Sequence, residues 1–220
     1  MLRVVFAGLY GVGKTSLVQR LQRGSAPETE VRTTVGAAFG QVHVVRRGEK
    51  VEFAHPALNE IKGSEQWDVH IWDTAGQERF ESLGPIYFRE ADVVIVVHDG
   101  TPRSQNKAAQ LVKDLHQRAN GPPLIQVWQN KADQTHVSES VEWHGELKTV
   151  HNIQTARVSA RTGENVNAAF LDVVAQGIAR RNPEAMHESV RLAARDAQNA
   201  RDARDARDGN SRPKSRCWLW

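Results

Sequence analysis

The chain has 220 residues, enough for one α/β domain with a sizeable core and an appendage. Its 29 Lys and Arg residues against 26 Asp and Glu residues give a formal net charge of +3, too weak a balance to indicate a nucleic-acid binder. No apolar run reaches the roughly 18 residues of a membrane-spanning helix. A single cysteine, Cys217, excludes an internal disulfide and fits a reducing compartment.

Strand and helix signals alternate along the chain, which predicts an α/β fold with a mostly parallel sheet and helices on both faces. The opening segment is too short for the apolar core of a signal peptide and is predicted to be the first strand. The predicted strands are Val4 to Ala7, Val69 to Trp72, Val93 to His98, Leu124 to Trp128 and Ile153 to Val158. The predicted helices are Thr15 to Arg23, Ser104 to Arg118, Glu139 to Val150 and Glu164 to Arg181.

The last predicted helix carries one apolar stripe at three- and four-residue spacing. We expect Glu164 in its first turn, where negative charge suits the helix dipole. The stripe stops near Arg180, and Pro183 follows. Residues 1–182 are therefore predicted to form one domain, and residues 183–220 a separate tail.

The first of three ligand-binding signatures is the P-loop pattern Gly8-Leu9-Tyr10-Gly11-Val12-Gly13-Lys14-Thr15. Its glycines allow backbone N–H groups to approach phosphate oxygens, and the following helix offers its positive end. Lys14 would add charge for the outer phosphates, and the Thr15 hydroxyl would bind Mg²⁺. The alternative is an ordinary glycine-rich turn between a strand and a helix.

The second signature is Trp72-Asp73-Thr74-Ala75-Gly76-Gln77, at the end of a predicted strand. Asp73 would reach the metal, through water, at the sheet edge where α/β proteins bind ligands. Gly76 can offer a backbone N–H to the terminal phosphate, and Gln77 can orient an attacking water. The alternative is a strand-capping Asp followed by a surface turn.

The third signature, Asn130-Lys131-Ala132-Asp133, supplies base specificity. The Asp133 carboxylate can accept hydrogen bonds from the ring N–H and the exocyclic amine of guanine, which adenine does not present in that arrangement. The Lys131 stem can cover one face of the base. The three signatures together predict a GTP site. Its predicted residues include Val12 and Asn130 from the signatures and Ser16, which follows Thr15.

With these motifs the chain resembles the small GTPases of the Ras superfamily, and within them the Rab family, over about residues 1–181. The run from Trp72 to Phe80 and, more loosely, the run from Tyr87 to Ala91 are similar to Rab sequences. The run from Ser82 to Tyr87 is most similar to the early-endosomal branch. The resemblance implies a P-loop G domain with a mostly parallel, six-stranded sheet.

The resemblance also implies roles for residues outside the three signatures. Thr34 would be a second hydroxyl ligand of Mg²⁺ and would dissociate from the ion after hydrolysis. This release would be the switch. The loop of Ser159, Ala160 and Arg161 would contact the guanine carbonyl through its backbone. Partners would be an exchange factor, an activating protein and effectors, bound through the switch regions and an aromatic triad of Phe39, Trp72 and Tyr87. The alternative for the triad is core packing.

The chain departs from the family pattern in four places. Tyr10 replaces a small residue and is predicted to crowd Gln77 and slow hydrolysis, unless it points outward. The stretch from 22 to 34 has no aromatic residue to stack on guanine, which predicts fast GDP release. Ala38 stands where Rabs commonly show an acidic residue. Residues 53–65 read as an insertion that lengthens the hairpin between the second and third strands, either a neutral decoration or a partner-specific arm.

The tail from 183 to 220 has eight basic and six acidic residues and cannot build a core. We interpret it as a partly helical spacer. Cys217 lies fourth from the end beside basic residues, which resembles a prenylation site, although Trp220 is unusual in the last position. Lipid and positive charge would together anchor the chain to a membrane. The alternative is an unmodified thiol.

The preferred function is a GTP-hydrolysing switch with Mg²⁺ as cofactor and Gln77 and Lys14 as catalytic residues. It would recruit effectors in vesicle traffic on the cytosolic face of an endomembrane, without binding nucleic acid. The second function is a GTP-binding module with very slow or no hydrolysis, acting as a scaffold or sensor. A P-loop kinase or ATPase is disfavoured by the guanine signature.

Overall fold

The computed structural model describes residues 1–26, 34, 36–54, 64–76, 87–117, 123–134 and 153–182. Its strands are β1 (Leu2–Ala7), β2 (Ala37–Arg47), β3 (Lys50–Phe53), β4 (Glu65–Thr74), β5 (Val93–His98), β6 (Leu124–Gln129) and β7 (Gln154–Arg157). Its helices are α1 (Lys14–Arg23), α2 (Pro102–His116) and α3 (Val166–Arg181). The predicted helix from Glu139 to Val150, the residue Gln77 and the whole tail lie outside the described residues.

The strands form one sheet in the order β3-β2-β4-β1-β5-β6-β7. The strands β4, β1, β5, β6 and β7 run parallel to one another, and β2 is antiparallel to both β3 and β4. This confirms the α/β fold with a mostly parallel sheet. Because the parallel strands point the same way, their carboxyl ends meet at one edge of the sheet. The start of β2 lies at that edge too, because β2 runs in the opposite direction.

Two apolar cores lie on the two faces of the sheet. One packs α1 and α3 against the sheet and includes Phe6, Trp128 and Phe170, all fully buried. The other packs α2 against Val5, Val94 and neighbouring residues. All six residues of β5 are buried, as expected for a central strand covered on both faces. The two covered faces hold the carboxyl ends of the strands in fixed positions.

The sheet has one strand more than the six that we expected. The extra strand is β3, which pairs with Val44–Arg47 of β2 at the edge of the sheet. It is held by tertiary packing, because the ring of Phe53 stacks on that of Phe170 with centroids 6.1 Å apart. The predicted insertion therefore begins within an added edge strand, and its residues 55–63 lie outside the described residues.

The helix boundaries depend on local capping. Thr101 caps α2, and its side chain accepts a hydrogen bond from the Ser104 N–H, with Pro102 at the first helical position. The prediction that Glu164 lies in the first turn of α3 is wrong, because α3 begins at Val166. Asn165 has a positive φ of 56°, which ends the preceding turn before the helix can start. Among the described residues, no helix is long and apolar enough to cross a membrane.

Candidate nucleotide-binding site

The loop between β1 and α1 contains two glycines, Gly8 and Gly13, whose backbone conformation and close neighbours disfavour a side chain. A Cβ at Gly8 would collide with the Val97 carbonyl, and one at Gly13 would collide with the Asn130 side chain. Both glycines have positive φ, 140° and 94°, a region that L side chains rarely adopt. Within the described part of the chain, no side chain caps the first turn of α1, so its backbone N–H groups remain available for an anion.

Lys14 is buried beneath this loop, with only 5% of its surface exposed. Its Nζ donates hydrogen bonds to the carbonyl oxygens of Gly8 and Leu9, each 3.0 Å away. Burial lowers the pKa of Lys14 to about 8, although the nearby charge of Asp73 opposes this shift. The ammonium group thus lies at the loop with little solvent around it, where a phosphate would be a strong partner.

Three oxygen-bearing side chains meet beside the lysine, as the predicted metal set requires. The Thr15 hydroxyl lies 2.6 Å from Asp73 Oδ2 and 3.0 Å from the Thr34 hydroxyl, and Thr34 lies 3.4 Å from the same carboxylate oxygen. Asp73 Oδ1 is buried without a hydrogen-bond partner among the described residues. Burial raises the pKa of Asp73, while the Thr15 hydrogen bond and the Lys14 charge oppose the rise. A hard-oxygen donor set with one orphaned carboxylate oxygen fits Mg²⁺.

Gly76 contacts the phosphate loop directly. A Cβ at this position would lie 2.5 Å from Lys14 Nζ and 2.5 Å from the Tyr10 backbone nitrogen. Only glycine can therefore bring this backbone so close to Lys14. Gln77 follows Gly76 in sequence but lies outside the described residues, so its predicted role stays a prediction.

The third signature joins the phosphate loop to the loop after β7. Asn130 Nδ2 donates to the Val12 carbonyl at 2.9 Å, and its Oδ1 accepts from the Ala160 N–H at 3.0 Å. Asp133 Oδ1 accepts a 2.6 Å hydrogen bond from the Ser159 hydroxyl. The structure thus brings the predicted base-recognition residues together on the side of the loop away from Asp73.

Asp99 is a residue of this site that our sequence reasoning missed. Lys131 has a positive φ of 65°, which is strained for a residue with a long side chain. Its Nζ lies 2.9 Å from Asp99 Oδ2. Burial opposes ionisation of Asp99, but hydrogen bonds from Lys131, Ser104 and Thr101 hold its pKa well below the usual value. The available signal was its position directly after β5, at the same sheet edge as Asp73.

The aromatic triad forms one continuous cluster. The ring centroids of Phe39 and Trp72 are 5.5 Å apart, and those of Trp72 and Tyr87 are 5.6 Å apart. Phe39 is 54% exposed, whereas Trp72 and Tyr87 pack partly against the second core. The Arg3 guanidinium lies over the Trp72 ring, 5.0 Å from its centroid. The cluster thus combines one exposed ring with two rings that pack against the core, so each of the two alternatives, partner surface and core packing, describes part of it.

Of the remaining predicted site residues, the structure describes Ser16, Arg161 and Tyr10. Ser16 lies in the first turn of α1, half-buried. Arg161 is exposed, and its Nη1 lies 3.7 Å from Asp133 Oδ2. Tyr10 is 57% exposed at the mouth of the phosphate loop. Cys217 lies outside the described residues.

Comparisons with known proteins identify the family of this chain. The family model "Ras of Complex, Roc, domain of DAPkinase" matches residues 3–133. The chain is 33% identical over 188 residues to the Ras-related protein RHN1 of Nicotiana plumbaginifolia, covering 83% of this chain and 82% of the relative. It is 32% identical over 176 residues to the Ras-related protein Rab5A of Oryza sativa subsp. japonica, covering 78% and 77%. The GTP-binding protein YPT53 of Saccharomyces cerevisiae is 32% identical over 177 residues, covering 77% and 73%.

These matches confirm the family resemblance that the motifs carried. The chain belongs to the Ras superfamily of small GTPases, and Rab5-type proteins are among its relatives.

Proposed function

We propose that this chain is a GTP-hydrolysing molecular switch of the Rab type that recruits effectors in vesicle traffic. The observation that carries the proposal is the convergence of three groups at one sheet edge: the loop around Lys14, the oxygens of Thr15, Thr34 and Asp73, and the carboxylate of Asp133. The first suits phosphate, the second suits Mg²⁺ and the third suits guanine.

In the proposed reaction a water molecule attacks the terminal phosphorus of GTP, and the bond to the GDP oxygen breaks. Lys14 stabilises the negative charge that develops on the phosphate oxygens. Gln77 orients the attacking water, and the Gly76 N–H binds a terminal phosphate oxygen. Thr15, Thr34 and Asp73 would hold Mg²⁺, which would supply positive charge for the phosphates when bound.

The switch would work through Thr34. A contact made by Thr34 only while the terminal phosphate is present gives the two nucleotide states different interaction energies, which a population shift requires. Thr34 lies three residues before β2, which carries Phe39. A change at Thr34 would therefore reach the aromatic cluster, through which we propose that regulators and effectors bind.

The tail would place this domain at a membrane. We propose that residues 1–182 form the GTPase domain and that residues 183–220 form a charged spacer ending in a lipidated Cys217. Lipid and adjacent positive charge would supply the two signals that stable anchoring needs. The domain would then act on the cytosolic face of an endomembrane.

A GTP-binding module with very slow hydrolysis is the second candidate. Tyr10 favours it, because its backbone nitrogen lies against Gly76, where the terminal phosphate and the attacking water are expected, and its exposed ring would narrow access to that position. Identifying the nucleotide extracted from purified protein, and then measuring single-turnover hydrolysis with and without Mg²⁺, separates the candidates. Bound GDP with Mg²⁺-dependent turnover supports the switch, bound GTP without turnover supports the module, and bound adenine nucleotide contradicts both.

A further inference from the structure

Arg20 on α1 reaches across to the loop that follows β7. Its Nε donates to the Ala160 carbonyl at 3.0 Å, and its Nη2 donates to the Arg161 carbonyl at 2.6 Å. The guanidinium fork is planar and rigid, so two such hydrogen bonds fix the direction of both carbonyls together. None of the three signatures includes Arg20.

Space for this contact is provided by Gly163. A Cβ at Gly163 would lie 3.2 Å from Arg20 Cζ and 3.3 Å from its Nη1. Gly163 has a positive φ of 86°, and its N–H donates to the Ser159 carbonyl at 2.8 Å. The loop is therefore a tight turn closed against the guanidinium.

Because a peptide unit is planar, the contact that fixes the Ala160 carbonyl also fixes the direction of the Arg161 N–H. The Ala160 carbonyl and the Arg161 N–H belong to one trans peptide unit and point in opposite directions. Because Arg20 holds that carbonyl toward α1, the Arg161 N–H points away from α1. The N–H groups on either side of it are already used: that of Ala160 by Asn130 Oδ1 and that of Thr162 by Ser159 Oγ.

The Arg161 N–H has no hydrogen-bond partner among the described residues, and it lies in the loop that holds Asp133 through Ser159. We propose that Arg20 is a positioning residue for guanine recognition, which aims the Arg161 N–H at the base carbonyl oxygen O6. This inference rests on the proposed function, because it assigns a further selectivity element to the same nucleotide site.

The test measures dissociation constants of three diphosphates with purified full-length protein: GDP, IDP and 6-thio-GDP. IDP lacks the exocyclic amine but keeps O6, and 6-thio-GDP keeps the amine and the ring N–H but replaces O6 by sulfur, a weak acceptor. We expect Arg20→Ala to weaken GDP and IDP about tenfold each, the equivalent of about 1.4 kcal/mol or one hydrogen bond. The same variant is expected to weaken 6-thio-GDP less than about twofold.

The matched control is Arg23→Ala, which removes an exposed arginine from the last turn of the same helix and is expected to leave all three affinities unchanged. Arg20→Lys keeps the charge and the stem but can reach only one carbonyl, so we expect about threefold losses for GDP and IDP. It is the test variant if Arg20→Ala does not fold. If neither variant folds, Arg20 is a structural residue and the proposal is overturned.

The outcomes also separate this inference from the proposed function. If the wild type does not bind GDP in preference to ADP, the proposed function fails and the inference fails with it. If the wild type prefers GDP but Arg20→Ala weakens all three nucleotides equally, only the inference is overturned, because a loosened helix α1 would act on every nucleotide alike.

Discussion

Replacing Asp133 by Asn is the most direct test of guanine recognition. The side chain is 13% exposed, and its Oδ1 already accepts from Ser159 at 2.6 Å, so Oδ2 is the oxygen expected to face the base. In Asp133→Asn the amide oxygen keeps the Ser159 bond, and the amide NH₂ then faces the two guanine donors. Two charge-assisted hydrogen bonds of about 1.5–3 kcal/mol each are lost. The GDP affinity is therefore expected to fall about 10²- to 10⁴-fold.

The assay is a competition titration of GDP and IDP against a fluorescent guanine nucleotide. Wild-type protein is expected to prefer GDP over IDP by about tenfold or more, because IDP lacks one of the two donors. The variant is expected to bind the two within about threefold. The control is Asp114→Asn on α2, where the carboxylate accepts from the Gln110 side chain one turn earlier on the same helix and no change is expected. A GDP affinity within about threefold of wild type, or an unaltered preference over IDP, would refute the reasoning.

Three further predictions concern hydrolysis, nucleotide release and pH. Single-turnover hydrolysis by Tyr10→Gly is expected to be at least about tenfold faster than by wild type, because the ring no longer crowds the attacking water; equal rates would show that the ring is irrelevant. Spontaneous GDP release is expected with a half-life of minutes, since loss of a stacking aromatic is worth about 1–3 kcal/mol, and a half-life of many hours contradicts this. Burial lowers the pKa of Lys14 to about 8 from 10.5, so between these pH values the unfolded chain holds a proton that the folded protein has lost. In denaturant titrations, the unfolding free energy of nucleotide-stripped wild type minus that of Lys14→Met is therefore expected to rise across this pH interval. A difference that does not change with pH would contradict the burial of Lys14.

The sequence predicted most of the site because its signatures directly follow strands. Asp73 is the penultimate residue of β4 and Asn130 follows β6, and the carboxyl ends of parallel strands meet at one sheet edge whatever the loops between them do. The strand signals were equally direct, since β5 is a continuous β-branched run apart from His98. Motif order and strand order therefore located the site without any knowledge of side-chain contacts.

What the sequence did not reveal depends on contacts between distant segments. Strand β3 is held by the stack of Phe53 on Phe170, which lie over a hundred positions apart, and no local pattern marks such a pair. Arg20 contacts a carbonyl 140 residues away, and Asp99 joins the site through Lys131, 32 residues away. The start of α3 was misjudged because Asn165 takes a positive φ, which propensity alone does not favour.

The phosphate end and the guanine end of the site differ in how well the protein itself pairs their polar groups. At the phosphate end, the pKa of Lys14 is lowered and that of Asp73 is raised, both chiefly by burial, and Asp73 Oδ1 has no partner among the described residues. These charges cost folding stability unless a ligand compensates them. At the guanine end, Asn130 and Asp133 already hydrogen-bond within the protein.

From this contrast we expect the phosphates and the metal to supply most of the affinity, and the base to supply selectivity. A ligand at a concentration 100 times its dissociation constant would stabilise the fold by about 2.7 kcal/mol, and this gain should depend strongly on Asp73. Changes at Asp133 or Arg20 should instead alter the ranking of nucleotides. A variant of Asp73 that changed the preference between GDP and IDP, with affinity preserved, would contradict this division.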